Sequence, residues 1–350
     1  MRFLQTADWH VTLKTTYARY RMELMDRATD VMAKRLSGKS TSFIVLAGDI
    51  FDNVNPTEEE RVFVSEQVKK LSDAGKVYWI LGNHDKNELF SAIQSTKILI
   101  GSNPNLRIFI QPTIVKIKGF KVAFVSHDIE IPKIIKSMKN AGADILFSHF
   151  SIIGGSLSSS NFKLKRWIDP ELLRKFLYVG LGDLHEQQSN KRIHYSGSLV
   201  KVNFGERTSL KGFLDVTCKK ETRENKVKFV ATPDIRMEQV KLSKGQLVNY
   251  TNMKKFTDYK DVILKIRYFS KDRGIVSKYK EKAMTEGARG ITLDIIKPKE
   301  KGKDIKRINY KSPFNKVFKR YLKQDIKLKK KQRIKIYKYA IKVARDSGIY

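Results

Sequence analysis

Phe43 to Ala47 is an uncharged run of five residues that ends in Gly48 and Asp49, with a second carboxylate at Asp52. A run that short, apolar throughout and stopped by glycine, reads as a strand buried on both faces. Ligands of open α/β sheets collect just beyond the carboxyl ends of such strands. Asp49 stands at that position, and its two carboxylate oxygens can bridge two cations. Alone, a Gly-Asp pair is more often a capped turn. The same punctuation returns along the chain, and its return is what limits the folds available.

Arg2 to Ala7 is a first predicted strand, ending at Asp8-Trp9-His10. Met22, Met25, Ala28, Val31 and Met32 have helical spacing and predict a helix from Tyr17 to Leu36, closed by Gly38. Thr57 is a capping residue for a second helix, with Glu58, Glu59 and Glu60 at its positive end. Val77 to Leu81 is a third strand and delivers Gly82-Asn83-His84-Asp85. Strand, helix, strand, helix, strand is the order of a layered α/β domain. Further strands end at Ser126-His127-Asp128, Ser148-His149 and Gly182-Asp183-Leu184-His185.

The chain has six histidines, and four of them (His10, His84, His149 and His185) follow a predicted strand end with Asp, Asn or Ser beside them. All would meet at one edge of one sheet. Mixed imidazole and carboxylate ligands suit Mn, Fe or Zn, and a shared carboxylate suits two ions about 3.5–4 Å apart.

Composition narrows the partners. Lys and Arg number 70 against 36 Asp and Glu, a net charge of +34. Such a field attracts polyanions, nucleic acid first among them, although a basic bias can also be a habit of the source organism. No amphipathic anchor or lipidation signal points to a membrane surface. Cys218 is the only cysteine, so there is no disulfide framework and no thiolate metal site. No apolar run approaches the roughly 18 residues of a membrane span, and Asp8 and His10 come too early for a signal peptide. The expectation is a soluble cytoplasmic protein.

Beyond residue 220 the pattern shifts to a small α+β unit, with strands at Val227 to Val230, Val262 to Ile266 and Ile291 to Ile296. A helix is predicted from Asp272 to Glu286. Lys301 to Tyr350 holds 18 Lys or Arg against 3 Asp. Its apolar residues predict two amphipathic helices, one starting at Ser312-Pro313 and one carrying Ile334, Tyr337 and Ile341. Their apolar face suits a protein partner; direct DNA binding by the basic pair is the other reading.

Asp8-Trp9-His10, Gly48-Asp49 with Asp52, Gly82-Asn83-His84-Asp85, His149 and Gly182-Asp183-Leu184-His185 together resemble the calcineurin-like metallophosphoesterases. Gly48 to Asn53 and Tyr195-Ser196-Gly197-Ser198 through Glu206, with Lys211-Gly212-Phe213 after it, resemble the SbcD branch. That branch comprises nuclease subunits of DNA double-strand-break repair and their bacteriophage counterparts, which would place a phage-encoded chain in the host cytoplasm. The resemblance implies a layered β-sandwich flanked by helices over residues 1–215, a capping domain over 220–298, and a tail at 305–350. The tail would grip an SMC-like, SbcC-type coiled-coil ATPase, and the catalytic domain would form a homodimer.

The resemblance also implies a Mn-dependent exonuclease and endonuclease working by two-metal phosphodiester hydrolysis, with Mg, Fe or Zn as other ions. Asp8, His10, Asp49 and His185 would hold the first ion, with Asp49 bridging. Asn83 and His149 would hold the second, with Asp183 standing where the branch usually has histidine. His84 would face the scissile phosphate and protonate the leaving 3′ oxygen, oriented by Asp52. Lys14, His127, Lys163, Lys165 and Arg166 are candidate DNA contacts; a solvated basic face and a turn histidine are the plainer readings. Trp9 reads as packing behind the site. Two other functions fit the scaffold: a phosphatase or nucleotide phosphodiesterase, and a non-catalytic subunit that binds DNA ends.

Overall fold

The computed structural model describes residues 1–38, 40–85, 103–128, 130–152, 156–157, 160–163, 170–296, 318 and 330–346. The first stretch gives β1 (Arg2–Thr6), α1 (Ala18–Leu36), β2 (Thr41–Ala47), α2 (Glu58–Ala74), β3 (Val77–Ile80) and β4 (Leu106–Phe109). Next come β5 (Thr113–Ile117), β6 (Phe120–Val125), α3 (Ile131–Asn140), β7 (Ile145–His149), β8 (Ser156–Leu157) and β9 (Ser160–Lys163). They are followed by α4 (Pro170–Arg174), β10 (Tyr178–Gly182), β11 (Gln188–Asn190), β12 (Ile193–Tyr195), β13 (Gly212–Lys219) and β14 (Glu224–Ala231). The last are β15 (Arg236–Ser243), β16 (Gln246–Asn249), β17 (Val262–Tyr268), α5 (Arg273–Thr285), β18 (Gly290–Ile295) and α6 (Lys330–Asp346).

Two six-stranded sheets form the body, in the orders β14-β13-β1-β2-β3-β4 and β11-β12-β10-β7-β6-β5. The strands buried on both faces divide their side chains with period two. In β2, Phe43, Val45 and Ala47 enter the core between the sheets, where they join Phe124, Phe147 and Tyr178 from the second sheet. Ile44 and Leu46 enter the core under α1 and α2, with Met25, Met32, Val68 and Leu71. The second sheet is covered in the same way by α3 and α4, through Ile131, Ile135 and Leu173. The result is the expected layered sandwich: helices, sheet, sheet, helices. Gln5 ties the sheets across their core, donating to the Leu181 carbonyl at 3.1 Å and accepting from Tyr178 Oη at 2.6 Å.

α2 starts on the predicted device: Thr57 Oγ1 accepts from Glu60 N, and Glu60 returns the bond to Thr57 N at 2.7 Å. The other Glu60 oxygen accepts from Leu13 N at 2.6 Å, so this cap also pins the loop that follows β1.

A third sheet, β16-β15-β17-β18, has its own core with α5, built on Val240, Leu264, Ile266 and Val276. The expectation of a boundary near 220 is corrected here. β14, which contains Val227 to Val230, pairs antiparallel with β13 from Gly212↔Ala231 to Lys219↔Glu224 and completes the first sheet. The small sheet starts at Arg236. Residues 1–296 form one compact unit and residues 297–350 a second. Within the second, α6 is helical as expected, and the rings of Phe318 and Tyr337 stack at 6.5 Å. Apart from helical Phe318, the helix expected from Ser312 onward lies outside the described residues. No described helix is long and apolar enough to cross a membrane.

His194, on β12, is buried and stacks on Tyr178 at 4.9 Å. Burial depresses its pKa from 6.5 to about 4. The unfolded chain therefore takes up a proton below pH 6.5 that the folded chain refuses until about pH 4. Stability present above pH 6.5 is lost as pH falls through that window, by about 3 kcal/mol at most. Urea midpoints of His194→Gln should change less between pH 7 and pH 4 than those of the native chain.

Candidate metal centre

The carboxyl ends of five strands meet at one rim. β1 leads to Asp8 and His10, β2 to Asp49 and Asp52, and β3 to Asn83, His84 and Asp85. β7 ends on His149, and β10 leads to Asp183 and His185. The expectation of one edge of one sheet is corrected: β1, β2 and β3 belong to the first sheet, β7 and β10 to the second. The rim is shared because the sheets lie face to face with these ends together.

The local backbone is forced. Asp8, His10, Asp49 and Asp183 all have left-handed φ, at 53°, 45°, 52° and 96°. Such residues cost on the order of 1–3 kcal/mol each and persist where the surroundings over-determine them. The surroundings are visible: Asp8 N donates to the Gly48 carbonyl at 3.0 Å, and His10 N to the Asp49 carbonyl at 3.1 Å. Gly48, with φ of 89°, leaves room for the His149 imidazole, and a Cβ at Gly82 would run into the Asp49 carboxylate.

Asp49 is the centre of the cluster. Its Oδ1 accepts from His84 N at 2.9 Å, and its Oδ2 lies 3.3 Å from His149 Nε2 and 3.7 Å from His10 Nε2. His149 Nδ1 donates to the Ala47 carbonyl at 2.8 Å, which turns Nε2 toward Asp49 and Asn83 Oδ1, the latter 3.2 Å away. On the other side, His10 Nε2 and His185 Nε2 approach to 3.0 Å. Asp183 N donates to Asp8 Oδ1 at 3.0 Å; its carboxylate accepts from Ser151 Oγ and lies 4.0 Å from His149 Nε2.

Among the described residues, three groups of donors are close enough to hold an ion: Asp8 with His10 and His185, His10 with Asp49 and His84, and Asp8 with Asp49 and His149. The residues fit a pair of divalent cations. His10 Nε2 and His185 Nε2 converge to 3.0 Å at the rim, and His10 Nδ1 is buried with no hydrogen bond. Asp8 and Asp49 put carboxylates into the same dry space, 0% and 3% exposed. Burial pushes the Asp8 carboxyl up. Burial acts the same way on Asp49, but His149, His10 and the His84 amide outweigh it and hold that carboxyl well below its usual range. The carboxylates of Asp49, Asp8 and Asp183 raise His149 far above an ordinary histidine against its own burial. Asp8 and His149 are thus held toward their protonated forms, and a bound cation would displace those protons.

The other expected residues are placed as follows. His84 Nδ1 donates to the Asp52 carbonyl at 2.7 Å, a bond to the backbone of Asp52 and not to its carboxylate. The Asp52 carboxylate sits 3.4 Å from His10 Nδ1 instead. Trp9 is fully buried and bonds Thr6 Oγ1 at 2.9 Å. Lys14 is exposed beside the rim, and His127 lines a cavity together with Asn83 and Asp183. Lys163 is on β9, where the backbone alone is described, and Lys165 and Arg166 lie outside the described residues.

Four supporting residues escaped the reading of the sequence as site residues. Glu206 is 2% exposed, takes His185 Nδ1 at 2.8 Å and Val202 N at 3.0 Å, and pairs with buried Lys211 at 2.8 Å. Lys211 also donates to the His185 carbonyl at 2.7 Å. Against burial, His185 and Lys211 draw the Glu206 carboxyl down to about 2. Asp85 joins two rim loops by accepting from Phe51 N and Gly82 N, each at 3.0 Å. Arg21, 1% exposed, holds the Trp9 and His10 carbonyls at 3.0 and 3.2 Å. The signal for Glu206 and Lys211 was the stretch already matched to the SbcD branch; Arg21 and Asp85 carry no signal beyond a charge in a helix and a charge beside His84. Because such partners orient a ligand, Glu206→Gln should weaken metal binding about 10- to 100-fold in calorimetric titration, with the fold retained.

Among solved structures the chain is similar to an archaeal phosphodiesterase, with 12% identity, 66% of this chain and 100% of that chain covered, and a TM-score of 0.34. That likeness is too slight to carry an argument. A family model described as calcineurin-like phosphoesterase matches residues 1–185, more than half of the 350 residues. With strand-end carboxylates and imidazoles gathered at one rim as that family's binuclear centre requires, the chain belongs to the calcineurin-like phosphoesterases.

Proposed function

We propose that the chain is the Mn-dependent nuclease subunit of an SbcD-type complex, cutting DNA phosphodiesters beside an SMC-like ATPase. The observation that carries this beyond phosphoester hydrolysis is the Tyr195–Lys211 segment. The stretch that resembles the SbcD branch folds back on the rim, with Glu206 and Lys211 bound to His185. The net charge of +34 supports a polyanionic substrate.

Asp8, His10, Asp49 and His185 would hold one ion, and Asp49, Asn83, His149 and Asp183 the other. Bound there, the ions would lower the pKa of water and neutralise charge on the phosphate. The chain's own residues do the rest. Asp49 spans both positions. His84 keeps its Nδ1–H on the Asp52 carbonyl, so Nε2 is the atom that faces the phosphate and hands a proton to the leaving oxygen. Asp183 closes the second position; Asp183→Ala should reduce manganese content from two toward one per chain, and unchanged content with unchanged cleavage would remove it from the ligand set.

The test is Mn-dependent cleavage of linear DNA, run beside hydrolysis of a small phosphodiester. Cut DNA supports the proposal. A hydrolysed ester with intact DNA favours the phosphatase or nucleotide phosphodiesterase, and neither reaction with metal bound favours an end-binding subunit. Deleting residues 305–350 should spare metal binding and abolish co-purification with the ATPase; retained co-purification would place the partner surface elsewhere.

A further inference from the structure

Beside the metal centre, on the side of His149, lies a cavity of about 240 Å³. Asn83 and Asp183, the two residues at the edge of the cluster, line it together with Ile131, Pro132, Phe150 and Ser151. His127 and Asp128 complete it. We propose that this cavity is a nucleoside subsite, holding the sugar and base that stay on the phosphate when the bond breaks. The inference rests on the phosphodiesterase reading and names the group that such an enzyme grips.

Three features select that ligand. The first is position: the cavity shares Asn83 and Asp183 with the rim, whereas His84, which faces the leaving oxygen, groups with His10 and Asp49 and does not line it. The second is size. Pockets for drug-sized ligands run to roughly 300–1,000 Å³, so this one admits a single sugar and base. The third is chemistry. Apolar side chains and an imidazole in one lining suit a flat ring, and bases stack on such groups in a sequence-tolerant way. The imidazole is fixed, because His127 Nδ1 donates to the His149 carbonyl at 3.1 Å and leaves Nε2 as an acceptor. That Nε2 offers an acceptor for a ring or amino N–H of a base. The Asp128 carboxylate in the same lining opposes a second phosphate.

The test uses the full chain loaded with manganese and two esters that share one leaving group. Thymidine 5′-(p-nitrophenyl phosphate) should have kcat/KM about tenfold or more above methyl p-nitrophenyl phosphate. Pro132→Trp, which fills the cavity, and His127→Ala should each bring that ratio toward one, mainly through KM. A native ratio near one, or variants that lower both esters by the same factor, would overturn the proposal. Calorimetry gives an independent readout: thymidine 5′-monophosphate should bind about tenfold tighter than inorganic phosphate, and equal affinity also overturns it. If neither ester is hydrolysed, phosphodiester hydrolysis falls, and the calorimetric comparison still decides the subsite.

Discussion

Asp49→Ala should lower phosphodiester hydrolysis by about 10³-fold or more and empty both ion positions at once. The size follows from the several kcal/mol that bound cations contribute at a developing phosphate charge, each 1.4 kcal/mol being about tenfold. The coupling follows from geometry. One Asp49 oxygen lies between His149 and His10, and the other holds the His84 amide. A substitution there removes the shared donor and frees the loop after β3. The metal-free variant should remain folded, because a carboxylate this deeply buried is stabilised chiefly by imidazoles that need not be charged without it. The stabilisation that manganese gives the native chain in a thermal melt should be absent from the variant. A variant that still binds two ions would show that Asp49 does not bridge.

His84→Ala should separate chemistry from binding. Loss of a positioned proton donor costs on the order of 10²- to 10⁴-fold in kcat, while the ligands on β7, β10 and the β1 loop stay in place. Metal stoichiometry should be two and KM nearly native. His84 also stands within reach of an ion shared with His10 and Asp49. A fall in metal content with His84→Ala would therefore assign it as a ligand and leave the proton to another group.

The rim was legible in the sequence because its residues obey a local rule: an apolar run, a glycine or serine, then an acid or an imidazole. Asp49, His149 and Asp183 could be located from that rule alone, Asp8 and Asn83 from their place at strand ends beside a histidine, and the capping of α2 by Thr57 and Glu60 from another. What local patterns do not encode is which strand lies beside which. β14 alternates like any half-buried strand, and only its eight-residue pairing with β13 assigns it to the first sheet. The two-sheet rim was missed for the same reason, since β3 and β7 look alike before they pair. Arg21, Glu206 and Lys211 are polar residues that look like surface until the fold buries them against backbone and imidazole groups 11 to 26 positions away. Asp52 shows a finer limit. Its nearness to His84 was readable, but the choice between its carbonyl and its carboxylate depends on loop geometry.

A crystal soaked in manganese, with data collected at the manganese edge, addresses the paired-ion centre directly. Two anomalous peaks are expected about 3.5–4 Å apart, with an Asp49 oxygen on each and His149 and His185 on opposite sides. A single peak away from Asp49, or none at a concentration that supports hydrolysis, would contradict it.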